Sequence, residues 1–138
     1  MITEDYVTFE IAKLLKEKGF NEETEYVYSN NGKLLRLCHF GIKDLTNTDC
    51  NDYHTWQFPI EGVTSIISSP TLQMAMKWLR EVHHIHIRLC HTTDESYKYE
   101  IYPRKGEYIG CCFWDKSFYE TYEKAAEVAL KYCLEKLI

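Results

Sequence analysis

The sequence predicts an α+β protein: a mainly antiparallel sheet of about four to five strands, in two hairpins, with three amphipathic helices packed on it. Segments of helical period lie near both ends and in the middle of the chain, each behind a threonine. Pairs of segments that alternate apolar and polar residues lie between them. Because no linker, low-complexity tract or shift in composition marks a boundary, residues 1–138 are expected to form a single domain.

The three predicted helices share one starting pattern: Thr, an apolar residue, Glu or Gln, any residue, then Ala. The pattern occurs as TFEIA at Thr8, TLQMA at Thr71 and TYEKA at Thr121. A threonine hydroxyl caps a helix because it accepts a hydrogen bond from an otherwise unpaired amide of the first turn. Each helix is therefore predicted to begin at the residue that follows its threonine.

The first helix is predicted to run from about Phe9 to Lys18, and its apolar residues recur at the spacing that places them on one face. Gly19 marks the end, because glycine adopts the left-handed backbone with which many helices stop. The next residue, Phe20, can then fold back on Leu15.

The second helix is predicted to run from about Leu72 to His83. Ser69 is an alternative to Thr71 as its cap, since Pro70 suits the first turn of a helix.

The third helix is predicted to run from Tyr122 to near the C-terminus, with one wholly apolar face. That face consists of Ala126, Ala129, Leu130, Cys133, Leu134 and Leu137. Because free cysteines behave as small apolar residues when buried, Cys133 is predicted to belong to the core.

The first predicted hairpin spans Glu25 to Leu37. Its turn, Asn30-Asn31-Gly32, contains an Asn-Gly pair, which supplies the positive φ that a tight turn requires. Weaker strand signals lie at Gln57 to Ile60, Val63 to Ile67 and Tyr108 to Trp114.

The second hairpin is predicted to pair Ile85 to Cys90 with Tyr97 to Tyr102. A five-residue loop would place His91 opposite Tyr97, and in this register each face of the hairpin has a consistent character. The other predicted pairs are Cys90 with Lys98, Leu89 with Tyr99, Arg88 with Glu100, Ile87 with Ile101 and His86 with Tyr102. One face is then apolar and the other mixed, and the opposed Arg and Glu form a favourable cross-strand pair.

Composition and charge narrow the classes of function. The net charge of −5 disfavours a nucleic-acid partner, because phosphate binding relies on clustered cationic side chains. No apolar run approaches the roughly 20 residues that span a bilayer, and the acidic start MITEDYVTFE lacks the features of a secretory signal. We expect no membrane association, a cytoplasmic location and reduced cysteines.

The stretch HHIHIRLCH, His83 to His91, is the candidate metal site. Two histidines at i and i+2 on a strand share one face and can chelate one Zn²⁺, so His84 and His86 are the candidate ligands. Cys90 lies roughly 13 Å along the strand from His86, too far to bind the same ion. Arg88 on that face adds a positive charge, so a half-exposed strand without metal is the favoured interpretation.

Four tyrosines near the second hairpin are the candidate partner-binding residues. They are Tyr97, Tyr99, Tyr102 and Tyr108. Protein interfaces are enriched in Tyr and Trp, so this set could present aromatic surface to a partner.

A reactive thiol is a weaker candidate. Cys111 and Cys112 are adjacent and lack the two-residue spacer of redox and zinc-binding cysteine pairs. No local motif supports a nucleophilic cysteine with a histidine base. We therefore predict no catalytic residue and no cofactor.

Three segments of the chain carry a resemblance to known sequences: YVTFEIAKLLKEKGF (Tyr6 to Phe20), SPTLQMAMKWLREVHHIHI (Ser69 to Ile87) and TYEKAAEVALKYCLEKLI (Thr121 to Ile138). They resemble a family of small uncharacterised proteins of gut Bacteroides genomes, and the likeness spans the whole chain. That family has no assigned activity, cofactor or catalytic residue to carry over. The resemblance implies a bacterial cytoplasmic setting and an association with mobile elements. Lys124 departs from the acidic residue expected there, which would complete a capping box with Thr121.

The function predicted from these features is non-catalytic binding of a protein partner or of a second copy of the chain. One alternative is a metal-binding or thiol enzyme that uses His84 and His86 or a cysteine. The other is a nucleic-acid-associated protein of a mobile element.

Overall fold

Helices and antiparallel strands alternate along the chain in the computed structural model. It describes residues 2–36, 65–103 and 118–138, together with the backbone of residues 109 and 110. The predicted α+β class is confirmed, with antiparallel pairing and three α-helices in the described part of the chain. No described helix is long and apolar enough to cross a membrane.

The contacts of the chain divide it into two units. Tyr6–Pro70 forms one, and Met1–Asp5 together with Thr71–Ile138 forms the other. The single-domain expectation stays a prediction, because two such units can still unfold in one cooperative transition.

In the unit Tyr6–Pro70, helix α1 spans Phe9–Glu17. Its cap is Thr8, whose hydroxyl accepts a hydrogen bond from the amide of Ile11 at 3.3 Å. The buried residues Ile11, Ala12 and Leu15 lie on one face, as the helical period predicts.

Helix α1 ends at the glycine that the sequence indicates. Gly19 has a φ of +94°, and its amide donates to the carbonyl of Lys16 at 3.1 Å. The amide of Phe20 donates to the carbonyl of Leu15 at 2.9 Å. This pair of bonds is the Schellman ending, and Phe20 is 1% exposed, as the predicted return toward Leu15 requires.

The same unit contains an antiparallel sheet of strands β1 (Tyr26–Ser29), β2 (Leu34–Arg36) and β3 (Ile66–Ser69), in the order β2-β1-β3. Strand β3 overlaps the end of the signal predicted at residues 63–67. The strand predicted at residues 57–60 lies outside the described residues.

The turn between β1 and β2 confirms the first predicted hairpin. The amide of Gly32 donates to the carbonyl of Ser29 at 3.0 Å, and the amide of Ser29 donates to the carbonyl of Lys33 at 2.8 Å. Gly32 has a φ of +84°, the conformation that favours glycine in a three-residue hairpin loop.

In the other unit, helix α2 spans Leu72–Val82. Of the two candidate caps, Thr71 is the one used, since its hydroxyl accepts from the amide of Met74 at 3.1 Å. Ser69 belongs to β3 instead.

Helix α3 spans Tyr122–Tyr132 and continues as a π-helical turn at Cys133–Leu137. Thr121 caps it by accepting from the amide of Lys124 at 3.1 Å, so the lysine at this position does not prevent the cap. The predicted apolar face is confirmed for its buried members, which are Ala126, Ala129, Leu130, Cys133 and Leu134.

The second sheet consists of β4 (His86–His91), β5 (Tyr97–Tyr102) and β6 (Ile109–Gly110), in the antiparallel order β4-β5-β6. Helices α2 and α3 pack against each other and against this sheet. The strand predicted at residues 108–114 includes β6, and its remaining residues lie outside the described part.

Candidate functional site

The hairpin of β4 and β5 has the register that the sequence predicts. His86 lies opposite Tyr102 and His91 opposite Tyr97, and the intervening pairs are those expected. The inner face packs toward α3, where Tyr97 contacts the ring of Tyr122 with centroids 6.1 Å apart. Alternate residues of both strands therefore form an outer face, away from α3.

The outer face carries a charged cluster around Glu100. The hydroxyl of Tyr102 donates to Oε2 of Glu100 at 2.7 Å. The guanidinium of Arg88 lies 3.7 Å from the same oxygen, and Nζ of Lys98 lies 4.0 Å from Oε1. Because the side chain of Glu100 is 15% exposed, these neighbours replace much of the water around its carboxylate.

These contacts raise two pKa values. The hydrogen bond to Glu100 is the main reason that the pKa of Tyr102 lies above its ordinary value, and burial is the second cause. A side-chain hydrogen bond with Tyr102 is the main cause that raises the pKa of Arg88. At neutral pH the cluster therefore holds a neutral phenol beside a guanidinium cation.

Glu100→Gln is expected to lower the pKa of Tyr102 toward its ordinary value of 10.0. The carboxylate favours the protonated phenol, and a neutral amide in its place favours it less. In the wild type this contact therefore stabilises the fold below pH 10.0, and the stabilisation is lost as the pH rises through the raised pKa. An NMR titration of ring-labelled tyrosine in the variant and in the wild type measures the shift. An unchanged pKa in the variant would contradict this assignment.

The predicted metal ligands His84 and His86 lie on different backbone elements. Strand β4 begins at His86, and His84 has a φ of +57°, so the alternation of the strand does not extend to His84. Both side chains are exposed. Within the described ranges, no group of three or more His, Cys, Asp or Glu side chains is arranged to hold a metal ion. Metal binding by this pair stays a prediction that needs a ligand from elsewhere.

The other histidines of HHIHIRLCH have separate surroundings. His83 caps the C-terminal end of α2, and its ring meets that of Trp78 edge to face, with centroids 4.6 Å apart. Burial is the main cause that lowers the pKa of His83, and the nearby charge of His84 is the second. The ring of His91 lies 5.1 Å from that of Tyr97. The four histidines are therefore divided among a helix end, a turn and two faces of a strand.

The candidate partner-binding tyrosines are similarly divided. Tyr99 is 5% exposed and stacks on Tyr119 with ring centroids 6.0 Å apart. Tyr97 shares the inner face with it, whereas Tyr102 belongs to the outer face. Tyr108 lies outside the described residues. Partner binding by these tyrosines stays a prediction, with Tyr97 and Tyr102 the half-buried members.

The described cysteines, Cys90 and Cys133, are not in disulfides. Cys133 is 0% exposed, which confirms that it belongs to the core. Cys90 is half-buried on the outer face. Cys111 and Cys112 lie outside the described residues, and a reactive thiol stays a prediction.

The hydrogen bonds at the hairpin loop set the direction of every backbone group on β4. The amide of Thr92 donates to the carbonyl of Ser96 at 2.8 Å. The amide and carbonyl of Tyr97 bond to Tyr119 instead, each at 2.8 Å, so His91 and Tyr97 form a pair without mutual hydrogen bonds. Bonded and non-bonded pairs alternate along an antiparallel ladder.

This alternation defines the β4 edge, which is the row of N–H and C=O groups of Ile87, Leu89 and His91 that point away from β5. In the order β4-β5-β6, β4 is the outermost strand of the described part of the sheet. The row stops before Ile85, whose amide already donates to the carbonyl of Leu79 at 3.1 Å.

The β4 edge is a feature that the sequence did not reveal. The alternation of side chains predicted the correct residue pairs of β4 and β5. It does not show which of these pairs exchange backbone hydrogen bonds. The hydrogen bond from Thr92 to Ser96 at the hairpin loop determines which pairs are bonded, because bonded and non-bonded pairs alternate from there along the two strands. No protein-family model, curated protein or solved structure matches this chain, so these contacts are what define the candidate site.

Proposed function

We propose that this protein acts by binding another protein chain, whose extended segment adds to the second sheet along the β4 edge. The observation that carries this proposal is the row of backbone groups at Ile87, Leu89 and His91, beside which no described strand lies. An exposed sheet edge is a template for a further strand, because its donors and acceptors are already spaced for pairing. The bacterial cytoplasmic setting implied by the resemblance is part of this proposal.

Strand β4 has few of the features that protect natural sheet edges. Its pairing with β5 is uninterrupted from His86 to His91, without a proline or a bulge. The inner residues Ile87 and Leu89 are apolar, so no inward charge opposes a further strand at these positions. Arg88 points to the outer face, where its charge can select the side chain that lies beside it.

Among the described residues, a small-molecule site has less support. One cleft at the first turns of α2 and α3 is lined in part by Glu4, Asp5 and Glu123. Its volume is about 110 Å³, below the roughly 300–1,000 Å³ of typical ligand pockets. This cleft is therefore too small to bury an ordinary metabolite, and backbone pairing remains the better-supported mode of binding.

In dilute protein, the amides of Ile87, Leu89 and His91 are expected to exchange with deuterium quickly, and those of Arg88 and Cys90 slowly. The first set faces the β4 edge, whereas the second is bonded to β5. Residue-resolved NMR of the full chain measures the alternation. Slow exchange of the first set in dilute protein would show that the edge is covered, and would overturn the proposal.

Peptides selected from a random library on the full-length protein supply a strand probe for the same edge. A peptide that adds to β4 is expected to slow exchange at the edge amides. His91→Pro removes one edge donor and is expected to weaken such binding by about tenfold. Thr93→Pro, in the exposed turn, is the matched control and should leave the affinity unchanged. Selected peptides that leave these amides unprotected would count against the proposal.

A further inference from the structure

We infer that the chain added at the β4 edge is β4 of a second copy of this protein, antiparallel and centred on Leu89, so that the two sheets join across a two-fold axis. This inference rests on the proposed function and names its partner. Two antiparallel β4 strands can meet in several registers. A register is favourable only where the outward N–H and C=O groups of one strand face those of the other.

A register centred on Arg88 is disfavoured by charge. It would place Arg88 directly opposite Arg88 of the second copy, in a pair without mutual hydrogen bonds, where side chains approach most closely. Like charges in directly opposed positions destabilise a sheet. The side chain of Arg88 is 63% exposed. It lies on the outer face with Glu100, and the alternation of the strand keeps it there.

Registers centred elsewhere lose edge bonds. A register centred on Ile87 would need Ile85, whose amide is already bonded to Leu79. A register centred on Cys90 or His91 would slide part of the strand against the turn that begins at Thr93. In each case some of the edge groups meet no partner.

The register centred on Leu89 satisfies the whole β4 edge. Leu89 bonds to Leu89 of the second copy, and Ile87 bonds to His91 in both directions, so every N–H and C=O of the edge has a partner. On the outer face, Arg88 lies opposite Cys90, so no two arginines are directly opposed. The edge is therefore complementary to itself in hydrogen bonding, and no like charges lie directly opposite each other.

Single cysteines placed along β4 test the register, because only the central residue of a two-fold pair lies opposite itself. In the inferred dimer the Cα atoms of position 89 are about 5.5 Å apart, within the roughly 4.4–6.8 Å that a disulfide spans. Leu89→Cys in a Cys90→Ser background is expected to give a covalent dimer as the major species after mild oxidation. Peptide mass mapping of the dimer identifies the bond between the two copies of position 89.

The matched control is His91→Cys in the same Cys90→Ser background. Position 91 lies opposite Ile87, which places its own copy roughly 13 Å away and prevents a bond. The parent chain, with Cys90 in place, should likewise form no bond between the two copies of Cys90. A dominant disulfide at position 90 or 91 in these proteins, instead of position 89, would overturn the inferred register.

Native association is tested with the reduced wild-type protein. Sedimentation is expected to show a monomer and dimer in a concentration-dependent equilibrium, and exchange at the amides of Ile87, Leu89 and His91 should slow as the dimer forms. If those amides exchange quickly at every concentration and position 89 forms no disulfide, the second copy is not the occupant. The β4 edge would then remain available to a different protein. Slow exchange of the same three amides in dilute monomer would instead contradict both the inferred dimer and the proposed function.

Discussion

Phe20→Ala is expected to lower the free energy of unfolding by about 3–5 kcal/mol, the usual range for removing a buried aromatic ring. Phe20 is 1% exposed, and its amide closes the Schellman ending of α1 on Leu15. The substitution keeps the backbone bond and removes the ring, so the loss comes from apolar burial and from the void left behind. Denaturant unfolding followed by circular dichroism measures it.

Phe20→Leu is the control for this prediction. Leucine retains a large apolar side chain at the same position, so the loss of stability should be clearly smaller than for alanine. Equal losses for the two variants would show that the ring does not fill the core as its burial indicates.

Ile101→Ala is expected to lower the free energy of unfolding by about 2–5 kcal/mol. Ile101 is 0% exposed on the central strand β5, opposite Ile87, and it joins the inner face of the hairpin to the core of its unit. Its loss should also increase exchange at the β5-bonded amides of Arg88 and Cys90, because the support of β4 is weakened. Ile101→Val, which removes one methyl group, is the control and should cost about 0.5–1.5 kcal/mol.

The two variants together test the single-domain prediction. Phe20 and Ile101 belong to different units of the chain. If residues 1–138 unfold cooperatively, both substitutions will shift one and the same transition. Two transitions, each moved by only one of the variants, would contradict a single domain.

Local signals in the sequence predicted the helices well. Each threonine cap accepts its hydrogen bond from the amide three residues later, as at Thr8 and Ile11. The stop at Gly19 is equally local. These predictions succeed because capping and left-handed stops depend on the nearest few residues and little on the rest of the fold.

The register of the second hairpin was also predictable, since a shift by one residue would send the apolar side chains of β4 to the opposite face. The same alternation implies that Tyr99 and Tyr102 lie on different faces, which the structure shows. For the histidines, the predicted alternation began two residues too early. Strand β4 begins at His86, after the left-handed backbone of His84 that follows the end of α2, and side-chain periodicity does not predict this conformation.

The sequence by itself determined the α+β class, the starts of the helices and the pairing of neighbouring strands, because these depend on periodicity and capping over short stretches of chain. It did not determine that the described strands belong to two sheets, since periodicity identifies a strand without naming a distant neighbour such as β3 beside β1. The tertiary structure alone decided that β4 is the outermost strand in the described part of its sheet and that Ile87, Leu89 and His91 turn their backbone groups away from β5. The direction of these backbone groups depends on the hydrogen bonds of Thr92 and Tyr97, which determine which residues of β4 bond to β5. The alternation of side chains would be the same in either case, so the sequence does not reveal it.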